Sequence, residues 1–318
     1  MIKVIVTGGC GYKGHILVPK LLDRNYYVKV IDICWFGNHL SQNKNLLVLK
    51  KDIRKVDLQD LEGFDIIIHL SSIANDPCGD LNPKLTWEVS ALATQQLADL
   101  AKKAKIKQFI YASSGSVYGI KKEDKVTEDL KLEPLTEYNK TKMVAERVLL
   151  SYANDYKVQI IRPATVCGYS PRMRFDVSVN LLTAAALFNG KIKVLGGSQI
   201  RPNIHIQDIA NVYLHFIENN KFEGIFNAGF ENLSILNIAK MVSSKTNKII
   251  EIETNNDDPR SYRLDSKKLL DTGFMPKYKV EDAIEEIAEK INSNILKNEK
   301  IHHNLKWMNE NNFAYNKL

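Results

Sequence analysis

Short apolar runs alternate with amphipathic segments through the first half of the chain. The runs are rich in Val and Ile, as buried strands are, and the segments between them repeat apolar residues at helical spacing, as in Ile16, Leu17 and Leu21. Because strands that alternate with helices are joined by right-handed crossovers, this pattern predicts an α/β fold with a doubly wound parallel sheet. The predicted strands are 2–7, 27–32, 46–49, 65–70, 108–113 and 157–163, and the predicted helices are 12–24 and a long one from Pro83 through Leu100.

After Pro163 the pattern becomes less regular, and glycine and proline residues separate shorter elements. We expect a large domain over 1–165 and a smaller C-terminal α/β lobe over 166–318, which is threaded back onto the sheet. The segment 301–318 is polar and rich in Asn, which is compatible with a docked tail and with partial disorder. Helical spacing returns near 178–189, 207–219, 234–245 and 280–297.

Composition narrows the class of protein. The 318 residues are 44% hydrophobic and 25% charged, which is ordinary for a globular protein and sufficient for one large domain with a lobe. No apolar run approaches the length of a membrane span, and the first residues enter a strand without a leader-like stretch, so we expect a cytoplasmic protein with no membrane partner. The four cysteines are scattered without the spacing of metal ligands, which predicts no metal site.

The net charge of +7 is compatible with a nucleic acid, an anionic surface or a phosphorylated small molecule as partner. Much of the excess lies on a predicted helix, in the run 102–107, where solvated charge is ordinary. The chain has no nucleic-acid motif with interleaved aromatic residues, so we expect no nucleic-acid partner.

A glycine-rich turn follows the first predicted strand and opens the first predicted helix. Gly8, Gly11 and Gly14 recur there at a spacing of three. Glycines let the backbone turn tightly and approach a diphosphate, while a helix N-terminus supplies free amides and positive potential. The spacing differs from G-x-G-x-x-G, but its place between a strand and a helix indicates a dinucleotide site in a Rossmann-type domain.

Acidic residues at the ends of the next two strands support a dinucleotide site. Asp32 ends the second predicted strand, where a carboxylate accepts hydrogen bonds from the adenosine ribose hydroxyls. A carboxylate there would repel a 2′-phosphate, so the sequence favours NAD over NADP. Asp52 and Ile53 end the third predicted strand and are candidates for contact with the adenine. Residues 1–165 are therefore predicted to bind NAD.

Ser114, Tyr138 and Lys142 form the candidate catalytic set. Tyr138 and Lys142 are four residues apart on a predicted helix and so lie on one face. The cation is expected to lower the pKa of the phenol and make Tyr138 a base near neutral pH. A serine hydroxyl within reach would orient a substrate alcohol. Beside a bound nicotinamide, this set predicts removal of a hydride and a proton from a carbinol.

These motifs, taken in order, resemble the extended short-chain dehydrogenase/reductase superfamily, in its NAD-dependent nucleotide-sugar epimerase/dehydratase branch. The resemblance covers nearly the whole chain. The motifs that carry it are Gly8/Gly11/Gly14, Asp32, Asp52-Ile53-Arg54, His69-Leu70-Ser71-Ser72, the run Ser113 to Gly119, and Tyr138-x-x-x-Lys142.

The resemblance implies roles for the matching positions. Tyr138 would be the catalytic base or acid, Lys142 would bind the nicotinamide ribose and tune Tyr138, and Ser114 would bind the reacting hydroxyl. A homodimer or a higher homo-oligomer is implied as well. The other implied NAD-binding residues are Gly8, Gly11, Tyr12, Gly14, Asp32, Asp52, Ile53, Leu70, Ser71, Ser72 and Pro163.

The second half resembles the family's substrate-binding segments. Arg201 begins a run similar to Arg-x-x-x-His-Val-x-Asp-hydrophobic-Ala, in which the arginine grips a nucleotide diphosphate. Arg260 resembles a second diphosphate arginine, and Asn180 resembles an amide that contacts the diphosphate. Guanidinium groups suit phosphate oxygens by geometry as well as by charge. The other implied substrate residues are Ser114, Ser116 and Thr165, and further candidate anion contacts are Arg172 and Arg174.

Departures from the family pattern bear on the reaction. Gly115 and Ser116 stand where the 4,6-dehydratases of this branch carry an acidic pair or a Glu, so elimination of water is disfavoured. Ser90 replaces an Asn that is common in similar chains, and Thr165 and Asn203 depart from the UDP-galactose enzymes, which predicts a different sugar or base pocket.

The resemblance favours NAD-dependent oxidation at C4 of a nucleotide-diphosphate sugar, as in a 4-epimerase that returns the hydride to the other face of the keto sugar. One alternative is a C4 dehydrogenase that releases the 4-keto product, with a GDP-heptose of surface polysaccharide synthesis as a candidate substrate. Another is a non-catalytic NAD-binding regulator, which the presence of both Tyr138 and Lys142 disfavours. The base, the sugar and the fate of the keto intermediate stay open.

Overall fold

A computed structural model of the chain describes residues 1–253 and 261–311. Its strands are β1 (Lys3–Thr7), β2 (Tyr27–Asp32), β3 (Leu46–Lys50), β4 (Ile66–His69), β5 (Gln108–Ala112), β6 (Lys157–Pro163), β7 (Thr165–Cys167), β8 (Lys191–Leu195), β9 (Ile200–His205), β10 (Gly224–Ala228), β11 (Glu231–Ser234) and β12 (Ile249–Glu253). Its helices are α1 (Gly14–Asp23), α2 (Leu58–Leu61), α3 (Asp76–Leu81), α4 (Pro83–Trp87), α5 (Ala93–Lys103), α6 (Glu137–Ser151), α7 (Ser178–Asn189), α8 (Ile206–Glu218), α9 (Ile235–Thr246), α10 (Lys267–Leu270), α11 (Val280–Asn292) and α12 (Asn304–Glu310).

Seven of the described strands form one parallel sheet in the order β10-β6-β5-β4-β1-β2-β3. Every residue of β4 and β5 is buried, because helices cover both faces of the sheet. The predicted doubly wound parallel sheet is therefore confirmed. The strand order reverses between β1 and β4, and ligands of such sheets bind beyond the carboxyl ends of the strands at this point.

Helix α6 brings the predicted catalytic pair to this edge of the sheet. It begins after Thr136, whose hydroxyl accepts a hydrogen bond from the backbone N–H of Asn139 at 3.3 Å. Its buried stripe follows helical spacing through Lys142, Glu146 and Leu149. Glu146 forms a buried ion pair with Arg162 of β6, with 2.7 Å between Oε2 and Nη2, which ties the helix to the sheet.

Three helices differ most from the sequence prediction, while other predicted elements shift by about one residue at an end. Helix α1 begins at Gly14, because the residues before it form the glycine turn. The long helix from Pro83 contains a π-helical turn over Glu88–Leu92, between α4 and α5. Helix α11 ends at Asn292, and the chain turns away where Asn294 adopts a left-handed conformation with φ 58°.

Residues after 166 contribute to two parts of the molecule. Strands β7, β9 and β11 form a three-stranded sheet, β8 pairs with β12, and α7, α9 and α11 pack around a second core. Along the chain, α8 and β10 lie between β9 and β11. Helix α8 packs against α1, and β10 pairs with β6 at the edge of the large sheet. Residues 206–228 thus return to the large sheet from within the C-terminal region.

The last described helix, α12, packs against α3, and its Met308 is buried. It belongs to the segment 301–318, for which the sequence leaves docking and disorder open; residues 301–311 dock, and 312–318 lie outside the described part. Within the described ranges, no helix is both long and apolar enough to cross a membrane.

Candidate active site

The carboxyl ends of the central strands open into a cavity of about 430 Å³. The glycine turn, the loop after β4, the start of α6 and the loop between β7 and α7 enclose it. In the described part of the chain, no three His, Cys, Asp or Glu side chains are grouped as a metal site requires. The sequence-predicted site residues that line the cavity are Gly8, Gly11, Tyr12, Gly14, Asp32, Asp52, Ile53, Leu70, Ser71, Ser72, Ser114, Ser116, Tyr138, Pro163, Thr165, Arg172, Arg174 and Arg201.

Asn180 does not line the cavity, contrary to the expectation that it contacts a diphosphate. It is fully buried, and its Nδ2 donates to the Tyr12 hydroxyl at 3.0 Å and to the Arg174 carbonyl at 2.9 Å. Its Oδ1 accepts from the backbone N–H of Gly168 at 3.0 Å. Because these bonds occupy the amide, Asn180 fixes the loop that carries Arg174. Arg260, the second predicted diphosphate arginine, lies outside the described residues.

Lys142 lies behind the cavity wall, on the face of α6 that it shares with Tyr138. Its ammonium donates to the Ala112 carbonyl at 2.7 Å and lies 5.8 Å from the centre of the Tyr138 ring. Burial, together with the nearby charge of Lys13, holds the pKa of Lys142 well below its usual value, although Glu146 opposes this.

Tyr138 differs from the expectation that the lysine lowers its pKa. Burial of the phenol and the Asp76 carboxylate raise the pKa of Tyr138 to about 12, while a hydrogen bond with Ser114 and the charge of Arg174 oppose them. Burial outweighs the cation because it also disfavours the charged form of Lys142. The protein's own groups therefore keep Tyr138 protonated at neutral pH.

Ser114 follows β5 and opens a 3₁₀ turn over Gly115–Tyr118. Its Oγ accepts from the backbone N–H of Ser116 at 3.2 Å and lies 2.7 Å from the Ser116 hydroxyl. The Ser116 hydroxyl in turn donates to the side-chain oxygen of Asn139. Two hydroxyls and an amide thus orient one another at the position where a dehydratase would carry an acid.

The glycine turn fits a dinucleotide diphosphate. Gly8 has φ +71°, and a Cβ there would lie 2.7 Å from the backbone nitrogen of Ser71, so only glycine lets the turn pack this closely against the loop after β4. A Cβ on Gly14 would collide with the backbone of Gly9. Helix α1 has no acidic residue in its first turn, so its positive end is free to attract an anion.

Asp32 is held for a ribose at the end of β2. Its two carboxylate oxygens accept from the backbone N–H of Cys10 at 2.9 Å and of Cys34 at 2.7 Å. Burial raises the pKa of Asp32, whereas these hydrogen bonds and the charge of Arg172 oppose the rise. The carboxylate keeps lone pairs for the two hydroxyls of a ribose.

Lys13 is a cavity-lining residue that the motif analysis passed over. It lies inside the glycine turn, and its ammonium has no hydrogen-bond or ion-pair partner within residues 1–253 and 261–311. Burial and the charge of Arg174 lower the pKa of Lys13 to about 8. The sequence feature that could have identified Lys13 as a site residue is its place between two glycines of the turn, Gly11 and Gly14.

An ion pair closes one side of the cavity. The carboxylate of Asp176 accepts from Arg174 Nε at 2.9 Å and from Asn75 Nδ2 at 2.7 Å, which joins the loop after β4 to the loop before α7. Sequence reasoning considered Arg174 but missed its partners, because they come from distant segments. Other lining residues that it missed are Trp35, Phe36, Asp76, Tyr262 and Asn304.

Comparison with known proteins identifies the family. Residues 4–229 match the model of the NAD-dependent epimerase/dehydratase family. The chain belongs to this family. It is an NAD-dependent enzyme of the extended short-chain dehydrogenase/reductase type, and the glycine turn and Asp32 provide a site that fits its cofactor.

Two relatives cover nearly the whole chain. The UDP-glucose 4-epimerase of Lactobacillus helveticus is 26% identical over an alignment of 317 residues, gaps included, and the alignment covers 89% of this chain and 94% of that protein. The structure of UDP-glucuronic acid 4-epimerase from Bacillus cereus, in complex with UDP-glucuronic acid and NAD, is 26% identical. It has a TM-score of 0.80 and aligns over 92% of this chain and 100% of that chain.

A third protein shows the fold. The UDP-N-acetylglucosamine 4-epimerase of Methanobrevibacter ruminantium has a TM-score of 0.85 at 24% identity, over 92% of this chain and 99% of that chain.

Proposed function

We propose that this enzyme oxidises the C4 hydroxyl of a nucleotide-diphosphate sugar and completes a 4-epimerisation. The observation that carries the proposal is that Ser114 and Tyr138 line the same cavity as the glycine turn. Ser116 supports the choice of reaction, because it places a hydroxyl where elimination of water needs an acid. The names of the relatives from Lactobacillus helveticus and Bacillus cereus agree with this reaction class.

In this proposal the cofactor occupies the side of the cavity formed by β1, β2 and β3. The glycine turn binds the diphosphate, Asp32 the adenosine ribose, and Asp52 with Ile53 the adenine. Leu70, Ser71 and Ser72 after β4 and Pro163 at the end of β6 also line the cavity and are proposed to contact the cofactor. NAD held by these residues would supply the hydride acceptor for the oxidation and the hydride donor for the reduction.

Tyr138 exchanges the proton of the C4 hydroxyl. Ser114 holds the reacting oxygen, and Ser116 and Asn139 orient the Ser114 hydroxyl. The phenolate of Tyr138, which is a minor form in the protein alone, would accept the proton as the alcohol is oxidised, and the phenol would return it when the keto group is reduced. The ammonium of Lys142 donates a hydrogen bond to the Ala112 carbonyl behind the phenol. It is the proposed hydrogen-bond donor to the nicotinamide ribose.

The substrate occupies the side of the cavity toward the C-terminal lobe. Arg201 is the proposed diphosphate ligand, and Ser116 and Thr165 are proposed to contact the sugar. Arg260 keeps its proposed role as a second diphosphate arginine on the sequence resemblance alone.

The test is turnover of a panel of nucleotide sugars that includes heptoses, with NMR identification of the products and absorbance of NADH. A C4 epimer without net NADH would support the proposal. Tyr138→Phe should lower kcat by at least about a hundredfold, because it removes the proton-transfer group. Tyr152→Phe, at the far end of α6, is the matched control. Full turnover by Tyr138→Phe would overturn the assignment of Tyr138.

A C4 dehydrogenase is the second candidate, and one observation favours it. The ammonium of Lys13 is close enough to Lys142 for its charge to lower the pKa of Lys142. Positive charge near the nicotinamide favours its neutral reduced form over the oxidised cation. Formation of one equivalent of NADH and a 4-keto sugar, followed by a stop until an oxidant is added, would identify this activity.

A further inference from the structure

The C-terminal segment reaches the cofactor side of the cavity through Asn304. This side chain is 3% exposed and lines the cavity, although it lies far along the chain from every motif of the site. Its Oδ1 accepts from Nη2 of Arg172 at 2.6 Å. Arg172 also donates through Nη1 to the carbonyl of Met173 at 2.9 Å, so Asn304 supplies its acceptor from outside its own loop.

Arg172 and α12 both contact Phe36. The guanidinium carbon of Arg172 lies 3.8 Å from the centre of the Phe36 ring, a cation–π contact. The Trp307 ring lies 4.7 Å from the same ring, centre to centre. Phe36 follows β2 closely and lines the cavity with Asp32. The C-terminal segment therefore holds two cavity-lining side chains: Asn304 holds Arg172 by a hydrogen bond, and Trp307 holds Phe36 by packing.

The start of the segment is anchored independently of these contacts. The backbone N–H of Phe175 donates to the carbonyl of His302 at 2.8 Å, and the Phe175 ring meets the His302 ring edge-on at 5.4 Å. At the other end, Met308 is buried in the apolar core of the large domain, in the cluster that includes Ile73 and Cys78. Anchors at both ends keep Asn304 and Trp307 in place between them.

The held groups lie at the Asp32 end of the cavity. The charge of Arg172 acts on Asp32, where it opposes the effect of burial on the carboxylate. Arg172, Phe36 and Asp32 therefore surround one region. In the proposed placement of NAD this region receives the adenosine ribose, and the inference rests on that placement.

We propose that residues 300–310 form part of the NAD site, where Asn304 and Trp307 position Arg172 and Phe36 around the adenosine ribose. Asn304 and Trp307 are positioning residues: they act on the cofactor through the two side chains that they hold. Their contribution concerns how tightly the adenosine half of NAD is retained, not the hydride transfer itself.

The test compares affinities of cofactor-free protein for NAD+, for ADP-ribose and for UDP by calorimetry. Asn304→Leu should weaken NAD+ and ADP-ribose alike, by about tenfold, because a buried charged donor loses its acceptor. UDP binding should be unchanged, since its proposed site lies across the cavity. Asn304→Asp, which keeps the acceptor, should restore the affinity for ADP-ribose. Trp307→Ala should weaken ADP-ribose, and Trp307→Phe should weaken it less.

Two controls separate this inference from its premises. Asn309→Leu changes an exposed residue of the same helix and should leave all three affinities unchanged. Asp32→Asn should weaken ADP-ribose if the adenosine is bound where we propose. Weak binding in Asp32→Asn but normal binding in Asn304→Leu and Trp307→Ala would overturn the role of the tail. Normal binding in Asp32→Asn would overturn the proposed placement of NAD. Equal loss of UDP affinity in Asn304→Leu would show general damage and overturn the inference.

Discussion

The phenol of Tyr138 lies beside a carboxylate that opposes its ionisation. Asp76 raises the pKa of Tyr138, which stands at about 12. Asp76→Asn should lower this pKa, so the rise of kcat/KM with pH should move to lower pH. The measurement is a pH–rate profile with one nucleotide sugar, compared with Asp80→Asn, which changes an exposed carboxylate on the same helix. An unshifted profile in Asp76→Asn would contradict this electrostatic coupling.

Lys13 gives the cofactor site a pH dependence of its own. Its pKa of about 8 means that the ammonium is charged at neutral pH and loses its charge as the pH rises through that value. Because a cation attracts the cofactor diphosphate, the affinity for NAD+ should fall between about pH 7 and about pH 10. Lys13→Met should bind NAD+ about tenfold more weakly at pH 7 and show a flatter profile.

Lys20→Met, at the other end of α1, is the matched control for Lys13 and should keep the normal profile. An unchanged affinity in Lys13→Met would show that the ammonium does not face the diphosphate.

Residue identities at the site were predictable, whereas their environments were not. The spacing of Tyr138 and Lys142 places both on one face of a helix whatever the surroundings. The pKa of Tyr138 depends on burial and on Asp76, which arrives from a different helix. Asn180 matched a sequence pattern, yet its amide is used inside the protein by Tyr12 and Gly168. Local pattern cannot reveal such long-range partners.

At the scale of the element, α6 carries both the proposed catalytic pair and a stabilising ion pair. Tyr138 lines the cavity and Lys142 is buried behind it, while Glu146 pairs with Arg162 in the interior. Glu146→Gln should destabilise the protein by about 3–5 kcal/mol, because Arg162 would keep a buried charge without its counter-ion. Urea unfolding measures the change. Asp99→Asn breaks an exposed pair with Lys103 and should cost at most about 0.5 kcal/mol. Similar losses in both variants would contradict the argument.

Most elements could be predicted because their apolar periodicity is strong. The buried strands β1 and β5 are largely apolar runs. Helix α6 is preceded by Thr136, a residue type that commonly caps a helix N-terminus. The π-helical turn over Glu88–Leu92 has no comparable signal, because it depends on how the helix packs. The docking of α12 was equally open, since its polar sequence does not show what Asn304 and Trp307 contact.

At the scale of the whole molecule, Tyr12 joins the cofactor turn to the C-terminal region. Its hydroxyl donates to the Gly168 carbonyl at 2.6 Å and accepts from Asn180. Tyr12→Phe should lower the free energy of unfolding by about 1–3 kcal/mol, because both partners stay buried without it. Tyr27→Phe, whose hydroxyl has no hydrogen bond within the described residues, should be nearly neutral. Equal stability of Tyr12→Phe and the parent would show that this link is dispensable.

The return of the chain to the large sheet has a consequence during synthesis. Strand β10 covers the outer edge of β6, and it lies beyond β8, β9 and α7 along the chain. A ribosome makes the first six strands before it makes the strand that shields them. Until then β6 presents unpaired backbone groups at an exposed sheet edge, which is a template for aggregation. A chaperone that covers nascent sheet edges should therefore improve the soluble yield.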